Sequence, residues 1–147
     1  MGKACCGFGH REVFENISEK IYSAVKEAAE QGCDIFYTGG DGEFDKLYSS
    51  AVRKLKTLYP NVRLILVKPY MTKRINDTGD YLYSLYDDIF IPTEFADTHF
   101  KSIIKKRNRL IVDWCSVVVV YVKREYGGAF EAMRYAEKQS KTVIKRL

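Results

Sequence analysis

Short unbroken apolar runs alternate along this chain with longer stretches whose apolar residues recur every three or four positions. Residues 3–8, KACCGF, read as a buried strand stopping at a glycine turn. From Glu12 to about Gln31 the pattern turns helical, with Phe14, Ile17, Ile21, Ala24, Val25 and Ala28 on one face and Gly32 as C-cap. Residues 34–38, DIFYT, predict a second strand, and 44–58 a second helix broken by Tyr59-Pro60-Asn61. A third strand, 62–69, ends at Pro69. The polar segment 71–86, with tyrosines at 81, 83 and 86, reads as a loop plus a short helix. Then come a strand at 88–92, a basic helix at 94–109, a strand at 115–122, a helix at 128–140 and a strand at 142–146.

Strands that are apolar throughout, rather than alternating in and out, belong to a sheet covered on both faces. Their regular alternation with helices predicts an α/β fold, a three-layer Rossmann-like domain with a mainly parallel sheet of five or six strands. No internal repeat or linker interrupts residues 1–147, so one domain is expected.

Composition adds little to the fold but bounds the function. No apolar run approaches the roughly 20 residues of a membrane span, and no membrane partner is expected. The opening MGKACCGFGH lacks the apolar core and cleavage site of a signal peptide, so the expected location is cytoplasmic. Cys5, Cys6, Cys33 and Cys115 have neither metal-ligand nor disulfide spacing and read as buried thiols, with Cys6 nearest a glycine turn. No ligand spacing calls for a metal, and the cofactor is unspecified. The net charge of +5 favours anionic partners.

In an open parallel sheet, ligands gather beyond the carboxyl ends of the strands. Three glycine turns fall there: Gly7-Phe8-Gly9-His10-Arg11, Thr38-Gly39-Gly40-Asp41-Gly42 and Tyr126-Gly127-Gly128. Each is expected to open a helix, whose unpaired N–H groups favour a phosphate or carboxylate. Arg11 would add a forked contact. Neither the P-loop pattern nor G-x-G-x-x-G is present, since Glu12 stands where the last glycine would be.

Taken together, GFGHR, TGGDGEFD and YGGAFEAMRYAEKQSKTVI resemble the SLOG superfamily, and within it the YpsA/YoqJ-like bacterial proteins. Arg107-Asn108 ahead of Asp113 and the late Tyr135-Ala136 extend the likeness over nearly the whole chain. The resemblance implies a Rossmann-like fold that gathers the three turns around a nucleotide or nucleotide-derived ligand. More distant relatives are the LOG phosphoribohydrolases and the DprA proteins, which bind single-stranded DNA. The hydrolases carry Pro-Gly-Gly-x-Gly-Thr-x-x-Glu at the late turn. Here Phe130 replaces the third glycine and Glu131 is out of phase, which argues against that activity.

The expected ligand contacts are Gly9, His10, Arg11, Thr38, Gly39, Gly40, Asp41, Phe44, Asn108, Gly127 and Gly128, with Tyr126 and Phe44 flanking a base. Glu131 and Asp41 are the candidate catalytic carboxylates for cleaving an N-glycosidic bond, although both also suit a helix N-terminus, as do Glu43 and Asp45. His10 either donates to phosphate, acts as a general acid or caps the first turn, and His99 falls in the basic helix region. The leading expectation is a binding domain for a nucleotide-like small molecule; whether it is an enzyme stays open. The alternatives are a nucleoside-monophosphate N-glycosidase and a DprA-like binder of single-stranded nucleic acid through Lys105, Lys106, Arg107 and Arg109. A homo-oligomer and a partner-binding adaptor are further open expectations.

Overall fold

The computed structural model describes residues 3–71, 81–92, 99–140 and 142–147. Its elements run β1 (Lys3–Gly9), α1 (Ser18–Glu30), β2 (Cys33–Thr38), α2 (Glu43–Leu55), β3 (Arg63–Val67) and β4 (Asp88–Phe90). Then follow α3 (Phe100–Trp114), β5 (Val117–Tyr121), α4 (Gly128–Glu137) and β6 (Val143–Arg146). A helical turn at 81–85 precedes β4.

The six strands form one sheet in the order β4-β3-β2-β1-β5-β6, and every pairing is parallel. This is the expected Rossmann-like α/β architecture. The chain builds one half outward from β1 through β2, β3 and β4, then returns to β1's other side with β5 and β6. The strand order therefore reverses between β1 and β5, the place where such sheets open a crevice.

Side chains alternate across the sheet, so adjacent residues feed different cores. Cys5, Phe36, Leu64, Val117 and Val119 face α1 and α2, where Ile21, Val25, Tyr48, Val52 and Leu55 complete a buried cluster. Cys6, Ile65, Val67, Val118 and Val120 face α3 and α4, against Ile111, Val112, Ala132 and Ala136. The neighbouring thiols of Cys5 and Cys6 thus serve opposite layers. All four cysteines are free and buried. Burial pushes the Cys33 thiol up to about 11, and raises Cys5 and Cys6 well above the ordinary value. That leaves them as packing groups rather than nucleophiles.

The largest departure from the expected elements lies between β1 and α1. The helix begins at Ser18, not Glu12, and residues 10–17 form a loop. Helical spacing alone favoured an earlier start, but the loop's backbone is engaged elsewhere. The carbonyls of His10 and Arg11 accept the N–H groups of Phe44 and Glu43, and Val13 N–H donates to the Glu43 carboxylate. Phe14, expected on the buried face, is consequently 90% exposed. The basic helix runs six or so residues later than its spacing suggested, from Phe100 to Trp114; positions 94–98 of the expected helix lie outside the described residues. Positions 72–80 of the 71–86 segment also lie outside them. Among the described residues no helix is long and apolar enough to cross a membrane.

Candidate nucleic-acid interface on the carboxyl edge

All three glycine turns lie at the carboxyl edge of the sheet, beyond β1, β2 and β5. They do not form one rim. Each faces a different cleft, and the reason lies in how their polar groups are already used.

The turn after β2 is closed by its own contacts. Thr38 is buried, and its Oγ1 accepts the Gly40 N–H at 3.2 Å. Asp41 N–H donates to Asp45 Oδ2 at 2.8 Å. The Asp41 carboxylate is held at both oxygens, Oδ1 by Lys68 at 2.9 Å and Oδ2 by Arg107 at 2.8 Å. Burial works against its ionisation, but Arg107 and Lys68 outweigh that and hold the carboxyl below its usual range. With both oxygens taken, Asp41 is a clamp rather than the candidate catalytic carboxylate.

Arg107 is the other half of that clamp. It is 3% exposed, so it does not join Lys105, Lys106 and Arg109 on the basic surface of α3. Its Nη1 donates to the Val67 carbonyl at 3.0 Å and its Nε to Asn108 Oδ1 at 2.9 Å. Gly39 makes room for it, since a Cβ there would stand 2.8 Å from the guanidinium carbon. Gly39 and Asn108 thus meet Arg107, where ligand contacts were expected.

The N-terminus of α2 is occupied too. Its Glu43 and Phe44 N–H groups are the ones taken by the loop after β1, at 2.9 and 3.4 Å. Phe44 is fully buried, stacks on Tyr121 with ring centroids 6.4 Å apart, and packs onto Gly9. It has no face left to offer a base. A Cβ at Gly9 would sit 2.2 Å from Phe44 Cγ, so Gly9 is a packing glycine. Gly9→Ala is expected to lower stability by about 1–3 kcal/mol, the usual range for overpacking. Urea denaturation reads it, and an unchanged midpoint would show that Phe44 moves aside freely.

His10 links the turns after β1 and β5. Its Nε2 accepts the Lys123 N–H at 2.9 Å, which fixes a neutral imidazole with the proton on Nδ1. Burial, then Arg124 and Lys123, lower its pKa from 6.5. The bond from Lys123 N–H ties the two turns together, and with Nε2 used as the acceptor only the Nδ1–H of His10 is left as a donor.

An open surface at the strand-order reversal lies just outside this link. His10, Arg11, Glu12, Phe14, Lys123 and Arg124, with Tyr121 behind, line an open groove of ≈ 460 Å³. Arg11 and Arg124 are exposed, while Lys123 Nζ donates to the Leu147 carbonyl at 3.1 Å. The Arg124 guanidinium lies over the Tyr126 ring at 4.8 Å, and Tyr126 is 66% exposed. Glu12 is the single carboxylate among the lining residues. Sequence reasoning found Arg11 and His10 here but missed Phe14, Lys123 and Arg124; Tyr126 adjoins the groove only through its contact with Arg124. Lys123-Arg124 directly follow the clearest apolar strand, which was the available signal.

The third turn opens α4 beside a smaller cavity of ≈ 200 Å³ lined by Asn108, Gly128, Glu131, Lys105 and Arg109. The structure therefore brings Asn108, Gly128 and Glu131 together, apart from His10 and Arg11 and apart from Gly40 and Asp41. Gly127 is the N-cap of α4, and Glu131 N–H returns to its carbonyl at 3.0 Å. Glu131 is exposed on the first turn, where a carboxylate favours the helix end. Among the described residues no cluster of histidine, cysteine and carboxylate groups could hold a metal.

No family model matches the sequence. Solved structures of similar fold do exist. Over 97% of its length the chain superposes on DNA processing protein A from Helicobacter pylori, with TM-score 0.65 and 17% identity. That structure is described as showing a unique single-stranded DNA binding mode. Over 99% it superposes on DNA processing protein A (DprA) from Streptococcus pneumoniae, with TM-score 0.66 and 15% identity. The fold is shared with DprA. The chain spans 65% and 50% of those two DprA chains. At such identities the likeness concerns the fold, and the arrangement of side chains has to stand by itself.

Proposed function

We propose that this domain binds single-stranded nucleic acid across the carboxyl edge of its sheet, seated in the groove between the turns after β1 and β5. One observation carries the reading: Phe14, 90% exposed, shares that groove with Arg11 and Arg124. A large aromatic left in water beside cations has no packing role. It is the combination that single-strand binders use, a face for a base to stack on and positive charge for the backbone. Tyr126, beneath Arg124, offers a second such face. The DprA fold likeness, and the single-stranded DNA bound by the Helicobacter pylori protein, point the same way.

The same geometry weighs against a mononucleotide whose phosphate rests on the turn after β2. The N–H groups that would hold that phosphate are bonded to loop carbonyls, and Asp41 stands beside them. Nor is an N-glycosidase favoured. Asp41 is locked in ion pairs, and Glu131 lies in a different cleft from the groove.

Fluorescence polarisation with a short labelled oligothymidylate tests the proposal. Affinity should fall as salt rises, with a log–log slope of about −0.7 for each phosphate neutralised. Replacing Arg11 and Arg124 together by alanine should flatten that slope by roughly 1.4. Phe14→Ala should weaken binding about tenfold at every salt concentration, since stacking is not an ionic contact. Binding that ignores all three substitutions, or no binding at low salt, would overturn the reading.

A further inference from the structure

The face of the sheet that carries α3 and α4 is covered unevenly. Both helices pack mainly over β1, β5 and β6, which leaves the corner made by β2, β3 and β4 partly open. Strand register decides which side chains stand there. Tyr37, Ile65 and Asp88 are partners across the three strands, with Ile35 beside Arg63 and Val67 beside Phe90. Directly paired residues share a face, as do residues two apart on one strand. Ile35, Tyr37, Arg63, Asp88 and Phe90 therefore stand together. Trp114, at the end of α3, completes the group, its ring centroid 5.1 Å from that of Tyr37 and 5.6 Å from that of Phe90.

This corner is wet. Phe90 is 42% and Trp114 36% exposed, while Ile35 and Tyr37 are half-buried. Contacting aromatic rings with an arginine alongside are the composition of an interface centre, where such residues carry most of the binding energy.

The charges select the partner. Arg63 and Asp88 are exposed, and among the described residues neither forms an ion pair. Asp88 uses one oxygen on the Ile89 N–H at 2.8 Å. A partner surface of one sign would satisfy one of the two charges and repel the other. A second copy related by a twofold axis satisfies both, since Arg63 then meets the partner's Asp88 while Asp88 meets the partner's Arg63.

We propose that the β2–β4 corner is a self-association surface, on which two copies of this chain pack Trp114, Tyr37 and Phe90 about a twofold axis and exchange the Arg63–Asp88 pair. No residue of the nucleic-acid groove takes part. A standard interface takes about 800 Å² from each partner, and two part-exposed rings with their flanks fall short of that. The dimer is accordingly weak, with a Kd on the order of 100 μM.

Trp114 is the chain's single tryptophan, so its emission reports this corner directly. Sedimentation velocity should show monomer giving way to dimer between roughly 10 μM and 1 mM, with Trp114 emission moving to shorter wavelength over the same range. Arg63→Asp and Asp88→Arg, both at exposed positions, should each weaken the dimer by about tenfold or more, because like charges then face each other. Mixed in equal amounts, the two variants should dimerise as the parent does, since one copy offers two aspartates and the other two arginines. Phe90→Ser, at an exposed ring, should also cost about tenfold, and it serves if a charge variant misfolds. A parent that stays monomeric throughout overturns the proposal. So does a dimer that leaves Trp114 emission unchanged or ignores these substitutions. Variants that are monomeric both alone and in the mixture overturn the twofold exchange.

Discussion

Arg107→Met is expected to cost about 3 kcal/mol of unfolding stability, the lower end of the range for breaking a buried ion pair. The side chain is 3% exposed, and its guanidinium serves Val67, Asp41 and Asn108 at once. Methionine fills a similar volume but leaves the Val67 carbonyl without that donor and Asp41 with only Lys68. Asp41 is 31% exposed, so water takes back part of the loss, which is why the lower end applies. In a chain of this length the change corresponds to a melting temperature roughly 10 °C lower. Arg107→Lys should recover little, because an ammonium cannot reproduce the fork. Combining Arg107→Met with Asp41→Asn should cost less than the sum of the two, since the orphaned carboxylate is removed. A loss below about 1 kcal/mol for Arg107→Met would mean that the clamp does not organise this edge.

Stability should also depend on pH through Asp45. Burial pushes its carboxyl up to about 7 from 3.8, and the nearby Asp41 carboxylate adds to the rise against the pull of the Asp41 N–H. Between those two pH values the folded state keeps a proton that the unfolded chain has released. The stability this contributes is full near pH 4 and is lost as pH rises through about 7, a change on the order of 4 kcal/mol. Asp41 acts in the opposite sense but at lower pH, since its depressed pKa adds stability that disappears only on acidification below the usual carboxylate range. His10 also opposes Asp45: its lowered pKa means stability is lost as pH falls below about 6.5. Comparing Asp45→Asn with the parent protein at each pH cancels both. Asparagine keeps an acceptor for the Asp41 N–H, so the variant should gain on the parent from pH 5 to about pH 7 and level off above it. A constant difference across that range would show that Asp45 does not hold a proton near neutrality.

The fold was legible because the central strands β1, β3 and β5 are mostly apolar runs bounded by glycine, proline or polar residues, and parallel order follows from the helices between strands. What escaped was decided by contacts far apart in sequence. The start of α1 was misplaced because Phe14 fits helical spacing with Ile17 and Ile21, whereas Glu43 and Phe44, some thirty residues later, take up the loop's backbone. Arg107 looked like a member of the basic group Lys105, Lys106, Arg107 and Arg109 because its partner Asp41 is 66 positions away. The glycine turns were found correctly as positions, but their roles were not. Gly9 and Gly39 admit Phe44 and Arg107, which no local pattern announces.

The claim that the groove between the β1 and β5 turns receives a single strand is tested most directly by mapping where the strand lies. Backbone amide shifts of isotopically labelled protein, followed as oligothymidylate is added, report contact residue by residue. The account predicts the largest changes at residues 10–14 and 122–128, all saturating together. Saturating changes confined to the opposite end of the sheet, around Gly32, Asn61 and Ser116, would contradict it.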